Sequence, residues 1–119
     1  MGKITRFEEI LAWQKAQDLA VEIYGLFGSN RDFGFRDQIC RATVSISNNI
    51  AEGFERETTK ELIRFLYIAR GSSAEVRSML YLAEQLDYID KERFQKLKSD
   101  AEEISRMLKG FINSINKNP

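Results

Sequence analysis

Apolar residues recur along most of the chain in alternating steps of three and four, the spacing that places them on one face of an α-helix. The alternation of apolar and polar residues typical of a β-strand is absent. Four segments carry the helical pattern, over about residues 7–27, 35–54, 59–86 and 91–116. Short connections between long helices favour antiparallel neighbours. The pattern therefore predicts an all-α, up-down-up-down antiparallel four-helix bundle in a single domain.

The third segment has the clearest start. Thr58 followed three residues later by Glu61 is a capping box directly before the periodic run. Asp90 is placed to cap the fourth segment, and Gly28 to end the first with a left-handed residue. The core seam predicted for the third segment comprises Leu62, Phe65, Ala69, Ser72, Val76, Met79, Ala83 and Leu86.

A second apolar stripe lies on the opposite face of the third segment and consists of Ile63, Tyr67, Ala74 and Tyr81. A helix that is apolar on two opposite faces is usually buried on both. In a four-helix monomer the second face is left for another chain, so the stripe predicts a homo-oligomer interface. The alternative is that the tyrosines, which are amphipathic, lie on a solvated surface.

Small polar residues crowd the second segment, and Asn49 lies on its predicted core face. Such residues are poor helix formers, and a sequence accepts them where helices approach closely or where amides and hydroxyls hydrogen-bond across an interface. Gly71 and Ser72 supply a matching small patch on the third segment. We interpret Asn49 as a hydrogen-bonded polar group in a close helix contact, with a ligand pocket as the alternative.

The absence of histidine from all 119 residues removes imidazole bases and most catalytic zinc or di-iron sites. The predicted core seams contain no carboxylate for a metal, so no metal or cofactor is expected. Serine and cysteine nucleophiles lack a base, and no enzymatic activity is expected. Buried ion pairs are expected instead, joining Arg41 or Arg70 to Glu52 or Glu75.

Charge is balanced over the whole chain, with 18 Lys plus Arg and 18 Asp plus Glu. This balance argues against a strongly electrostatic nucleic-acid binder. The fourth segment is locally basic, because residues 91–119 hold seven cationic and four acidic side chains. A local excess of charged residues usually indicates only a solvent-exposed surface. The candidates for a nucleic-acid contact are Lys91, Lys98, Lys109 and Lys117.

The number of cysteines and the hydropathy of the chain indicate where in the cell the protein is expected. The single Cys40 cannot form an internal disulfide, and the first ten residues lack the apolar core of a signal peptide. No apolar run approaches the roughly 20 residues needed to span a bilayer. We expect a cytoplasmic protein with no membrane partner.

Two motifs carry a resemblance to a known family. RATVSISNNIAEGFER at 41–56, followed by FLYIARGSSAE at 65–75, resembles the signature of the 23S ribosomal RNA intervening-sequence proteins, or S23 family. The similarity extends through the first helix and covers nearly the whole chain. The family's motif residues match here at Arg41, Asn49, Glu52, Gly53, Arg70, Gly71 and Glu75.

The resemblance implies a four-helix bundle that assembles as a ring of five subunits. It also implies kinship with the accessory proteins of diversity-generating retroelements, which are basic and work with a reverse transcriptase and nucleic acid. This chain is neutral where those relatives are basic. Two functions follow: a non-enzymatic, ring-forming nucleic-acid or ribonucleoprotein accessory factor, and a protein-interaction scaffold with no nucleic-acid role. Only the first gives a binding affinity for RNA that falls steeply with salt.

Overall fold

The computed structural model describes residues 3–117, and within that range it contains helices and no β-strand. A short 3₁₀ turn spans Phe7–Glu9. Four α-helices follow, and their bounds are α1 (Leu11–Phe27), α2 (Phe33–Phe54), α3 (Thr59–Gln85) and α4 (Lys91–Lys117). The predicted all-α class is therefore confirmed.

Neighbouring helices run antiparallel. Gln38, early in α2, donates from Nε2 to Glu75 Oε2 in the second half of α3 at 3.0 Å. Gly53, at the end of α2, lies instead against Phe65 near the start of α3. Each helix packs on its sequence neighbours, and α1 packs on α4 to close the bundle, which measures 46 × 22 × 19 Å. The up-down-up-down arrangement leaves a surface groove between α3 and each of its neighbours.

The ends of α1 differ from the prediction. The helix begins at Leu11 and not near residue 7, because Ile10 adopts extended backbone (φ −75°, ψ 119°) with its side chain 4% exposed. Burial of Ile10 in the core thus separates the preceding turn from the helix. Gly28 is right-handed (φ −59°, ψ −26°), so the left-handed cap predicted there is wrong. The left-handed residue is Asp87 (φ 60°), in the loop between α3 and α4.

Side-chain caps fix the starts of the other helices. Thr58 Oγ1 accepts a hydrogen bond from the Glu61 amide at 3.1 Å, as the sequence predicts. Asp90 Oδ1 accepts from the amide three residues on at 2.7 Å. Asp32 Oδ1 accepts from the Phe35 amide at 3.2 Å and starts α2 two residues earlier than the periodicity indicates.

The core extends along the whole bundle, and in α3 it is wider than the predicted seam. Leu66 and Leu80, outside that seam, are fully buried, whereas Leu86, inside it, is 45% exposed. The reason is that α3 packs against both α2 and α4, so its buried face exceeds one stripe of residues. The largest fully buried side chains are Leu19, Ile23, Phe27, Ile39, Ile46, Ile50, Leu66, Leu80, Leu97, Ile104, Leu108 and Ile112.

Candidate nucleic-acid interface

Two tyrosines of the predicted stripe lie beside two of the predicted lysines, in the groove between α3 and α4. Lys109 Nζ is 5.5 Å from the centre of the Tyr67 ring and donates a hydrogen bond to Tyr67 Oη at 3.3 Å. Lys98 Nζ is 5.7 Å from the centre of the Tyr81 ring. Phe94 meets that ring edge-on, with ring centres 5.0 Å apart. The structure therefore joins two sites that the sequence predicts separately.

A surface depression of about 470 Å³ lies in the same groove and is lined by three arginines. Arg70 Nε donates to the Ser105 carbonyl at 3.3 Å, and Arg77 Nη1 lies 3.8 Å from Glu102 Oε2. Arg106 makes no hydrogen bond or ion pair within residues 3–117. We call this surface the basic face, and define it by Tyr67, Arg70, Ala74, Arg77, Tyr81, Lys98, Glu102, Arg106 and Lys109.

The basic face has five cationic side chains and one carboxylate. The long Arg77–Glu102 pair is solvent-exposed, with side chains 41% and 35% exposed, and such pairs contribute little. The guanidinium group of Arg77 is therefore available to another anion. Guanidinium groups match phosphate geometry with paired donors, and aromatic rings offer surfaces on which bases stack. The arrangement is chemically suited to a polyanion that also carries aromatic groups.

Lysines of the groove between α1 and α4 are neutralised by neighbouring acids. Lys15 Nζ lies 2.7 Å from Glu103 Oε1, and this hydrogen bond raises the pKa of the lysine. Lys96 pairs with both Glu22 and Asp100, which raise its pKa. The local charge of that groove is therefore close to balanced. Of the five cations on the basic face, Arg77 is the one that forms an ion pair with a carboxylate of the described residues.

Ile63 does not belong to the exposed stripe. The structure packs it, half-buried, against the core, whereas the other three residues of the predicted stripe are exposed. Ile63 lies seven residues before Arg70, and so on the flank of α3 that contacts α4. Tyr67 and Tyr81 are 45% and 44% exposed, and Ala74 is also exposed.

The remaining predicted lysines lie apart from the basic face. Lys91 and Lys117 are exposed at the two ends of α4, about 39 Å apart along its axis. Neither makes the contact with an α3 tyrosine that Lys98 and Lys109 make. Two of the four predicted lysines are thus brought together with aromatic rings and two are not.

Two arginines of the basic face, Arg77 and Arg106, are absent from the residues that the sequence indicated. A signal for them exists: Arg70 and Arg77 are seven residues apart and share one flank of α3, while Arg106 and Lys109 are three apart on α4. The helical spacing of charged residues identifies both pairs, in the same way that the spacing of apolar residues identifies the helices. It does not show that the two pairs face one groove.

The amide of Asn49 is hydrogen-bonded, as expected, but within its own helix. Its Nδ2 donates to the Ser45 carbonyl at 2.8 Å and to Ser45 Oγ at 2.9 Å. The contact between helices is made by the hydroxyls, since Ser45 Oγ and Ser72 Oγ are 2.9 Å apart. These residues serve the packing of α2 on α3.

Gly53 and Gly71, both motif residues, have different surroundings. A Cβ added at Gly53 would lie 2.7 Å from Phe65 Cβ and 3.3 Å from the Leu62 carbonyl oxygen. A Cβ added at Gly71 would meet nothing within 4 Å. Close packing of α2 on α3 explains the first glycine and leaves the second unexplained within one chain.

The buried ion pairs predicted from the motif charges are wrong. Arg41 is exposed and has no partner within the described chain, and Arg70 bonds to a carbonyl of α4. Glu52 Oε1 accepts from Arg56 one turn on, at 3.3 Å. Glu75 accepts from a glutamine of α2. These side chains lie at helix edges, where water reaches their charges and no buried partner is needed.

No group of three or more His, Cys, Asp or Glu residues within 3–117 is arranged to hold a metal ion. Cys40 is a free, buried thiol, and burial raises its pKa. None of the four helices, over the residues described, is both long and apolar enough to cross a membrane.

Comparison with known proteins places the chain in a family. A family model for the 23S rRNA-intervening sequence protein matches residues 8–110. A crystal structure of a protein with unknown function from the S23 ribosomal protein family of Bacteroides thetaiotaomicron superposes with a TM-score of 0.80 at 28% identity, covering 85% of this chain and 97% of that chain. No curated protein gives a significant match. The chain belongs to the 23S rRNA-intervening sequence protein family.

Proposed function

We propose that this protein is a non-enzymatic nucleic-acid accessory factor that binds RNA through the basic face. One observation carries the proposal. Two tyrosine–lysine pairs, Tyr67 with Lys109 and Tyr81 with Lys98, lie on the same side of the bundle as three arginines, along the contact of α3 with α4. Family membership supports it only through the association with 23S rRNA in the family's name.

The electrostatic part of the binding is modest for one chain. Five cations contact at most about five phosphates, which gives a slope of log affinity against log salt of about −3 to −4 for a single strand. The whole chain has no net charge, so the residues outside the basic face are net acidic and add no long-range attraction. Binding is therefore expected to be weak for one subunit and to strengthen when several basic faces act together.

Charge reversal on the basic face tests the proposal. Lys98→Glu with Lys109→Glu should weaken RNA binding by at least about tenfold, because two phosphate contacts become repulsive. The matched control is Lys91→Glu with Lys117→Glu, which makes the same change in net charge at the ends of α4. Fluorescence anisotropy of a labelled RNA measures both. Equal losses in the two variants would place the contact elsewhere on the surface.

We also propose a homo-oligomer, with five subunits favoured by the family resemblance. Besides the predicted stripe, α3 exposes Ile68, Leu82 and Leu86 at 40–45%. Ile68 and Leu82 are each seven residues from Glu75, and Leu86 is fourteen from Ser72, so they share one flank of α3 with these two residues. Ser72 and Glu75 contact α2, so this flank faces away from the basic face. We call Ile68, Leu82 and Leu86 the aliphatic edge.

The aliphatic edge is favoured over the tyrosine stripe as the contact between subunits. Covering Tyr67 and Tyr81 would also remove water from Lys98 and Lys109, and burying unpaired charges is unfavourable. Covering three aliphatic side chains has no such cost. A contact between unlike surfaces of successive subunits gives a ring when the rotation from one subunit to the next closes after a full turn.

Light scattering of three proteins tests the assembly. The wild type should be an oligomer at micromolar concentration, Ile68→Glu with Leu82→Glu should be a folded monomer, and Tyr67→Glu with Tyr81→Glu should stay assembled. Dissociation of the tyrosine variant alone would assign the interface to the stripe predicted from the sequence. A monomeric wild type would refute the proposed homo-oligomer.

A protein-interaction scaffold with no nucleic-acid role is the alternative function. The exposed tyrosines and arginines of the basic face also suit a protein contact, since both residue types are enriched at interfaces. The salt dependence of RNA binding separates the two functions, because a scaffold would show no such binding.

A further inference from the structure

The basic face alternates aromatic rings with cations along α3. Tyr67 and Tyr81 are 14 residues apart, or about 21 Å along the helix, and Arg70 and Arg77 lie between them in sequence. We propose that this face is selective for single-stranded over duplex nucleic acid, with bases stacking on the two tyrosine rings and phosphates contacting the arginines. This inference rests on the proposed function and names the class of ligand.

The rings are the reason for selectivity. A duplex keeps its bases stacked inside, so a tyrosine on a convex helical bundle meets only backbone and gains little from its ring. A single strand presents free base faces, each of which can stack on an aromatic side chain without a requirement for sequence. Tyr67 and Tyr81 are nearly half exposed, so ring surface is accessible in the free protein.

The lysines bring positive charge next to both rings. Lys109 Nζ is hydrogen-bonded to Tyr67 Oη and lies near that ring, and Lys98 Nζ lies near the ring of Tyr81. Phe94 further supports Tyr81 from the side. A nucleotide stacked on either ring would therefore have a positive charge within reach of its phosphate.

The arginines between the rings suit the phosphates that link the stacked bases. Arg106 makes no hydrogen bond or ion pair within the described chain, although Glu103 is close enough to interact with its charge, and Arg77 makes a 3.8 Å contact with Glu102. Arg70 keeps its Nε on the Ser105 carbonyl, which leaves its terminal nitrogens to donate. The single carboxylate, Glu102, opposes binding and is outnumbered. A strand of several nucleotides is long enough to run from one tyrosine to the other across these groups.

The experiment compares two labelled probes of equal length by fluorescence anisotropy: a single-stranded oligouridylate, and the duplex of that strand with oligoadenylate. Wild-type protein should bind the single strand at least about tenfold more tightly. Tyr67→Leu with Tyr81→Leu keeps apolar bulk and removes both rings. This variant should lose about tenfold or more per ring for the single strand and change little for the duplex.

Two control variants isolate the ring as the cause. Tyr67→Phe with Tyr81→Phe keeps the rings without the hydroxyls and should bind the single strand within a few-fold of wild type. Tyr24→Leu removes a tyrosine of α1 that is 51% exposed and lies outside the basic face. It should leave both affinities unchanged.

The outcomes separate this inference from the proposed function. Equal or tighter binding of the duplex by wild type overturns the inference and leaves the function in place. A leucine variant that loses affinity equally for both probes, or for neither, also overturns it. If the wild type binds neither probe, both the proposed function and this inference are refuted.

Discussion

The close approach of α2 to α3 at Gly53 predicts that alanine has opposite effects on stability at Gly53 and at Gly71. A Cβ at Gly53 would lie 2.7 Å from Phe65 Cβ, an atom fixed to the α3 backbone that no rotamer change can move. The two helices would have to separate locally. A Cβ at Gly71 would meet nothing within 4 Å. Gly71 is in the interior of α3, where backbone propensity favours alanine by about 1 kcal/mol, whereas Gly53 is in the last turn of α2, where the gain is smaller.

The expected magnitudes follow from those contacts. Overpacking costs roughly 1–3 kcal/mol, and a Cβ contact this short lies at the upper end. Subtracting the gain in helix propensity, Gly53→Ala should lower the free energy of unfolding by about 2 kcal/mol. Gly71→Ala should raise it by about 0.5–1 kcal/mol. Gly110→Ala, at another open position in α4, should behave like the Gly71 variant.

Urea unfolding followed by helical circular dichroism measures all three variants. The linear dependence of the free energy on denaturant gives each difference, and an unchanged slope shows that the same transition is compared. Gly53→Ala should also shift the contact of α2 and α3 without loss of helix content in the native baseline. Stabilisation of Gly53→Ala by as much as Gly71→Ala would refute the close packing of these helices.

Other predictions concern caps, buried polar groups and acid. Thr58→Ala should cost about 1 kcal/mol of unfolding free energy by urea titration, because the cap of α3 is lost. Ser73→Ala should cost about 1 kcal/mol, since a buried hydroxyl donates to an α4 carbonyl at 2.8 Å; no change would discount that bond. Asn49→Leu should perturb packing or assembly, with up to about 1 kcal/mol lost, and unchanged stability and oligomeric state would contradict a structural role for the amide. The hydrogen bond from Tyr88 holds the pKa of Asp32 below its ordinary 3.8, so the unfolded state takes up protons first and stability falls as pH drops through the folded pKa. Tyr88→Phe should reduce that loss in acid unfolding curves.

The helices were predictable because apolar residues recur in each with a helical period, and because caps such as Thr58 leave a local signature. The break at Ile10 was not predictable in this way. No glycine or proline stands there, and burial of the side chain holds the extended backbone. The extra buried positions, Leu66 and Leu80, depend on α3 contacting two helices at once, which the period of a single helix does not report.

The candidate site was predictable in its parts and not as a whole. Tyr67 and Tyr81 were assigned to a stripe for an oligomer interface, and Lys98 and Lys109 to a basic surface that could contact nucleic acid. Their meeting depends on the rotation of α4 against α3, which the whole core determines. Charge pairing failed as a guide at Arg41, because exposed charges at helix edges are satisfied by water and need no particular partner.

The salt dependence of RNA affinity tests the central claim most directly. Wild-type affinity for a single strand should fall with a slope of about −3 to −4 in a plot of log affinity against log salt. Replacing Arg70, Arg77 and Arg106 together by glutamine should reduce the steepness of that slope by about 2, because three phosphate contacts are lost. Replacing Lys91 and Lys117 by glutamine should leave the slope unchanged. Parallel lines for the wild type and the arginine variant would contradict binding at the basic face.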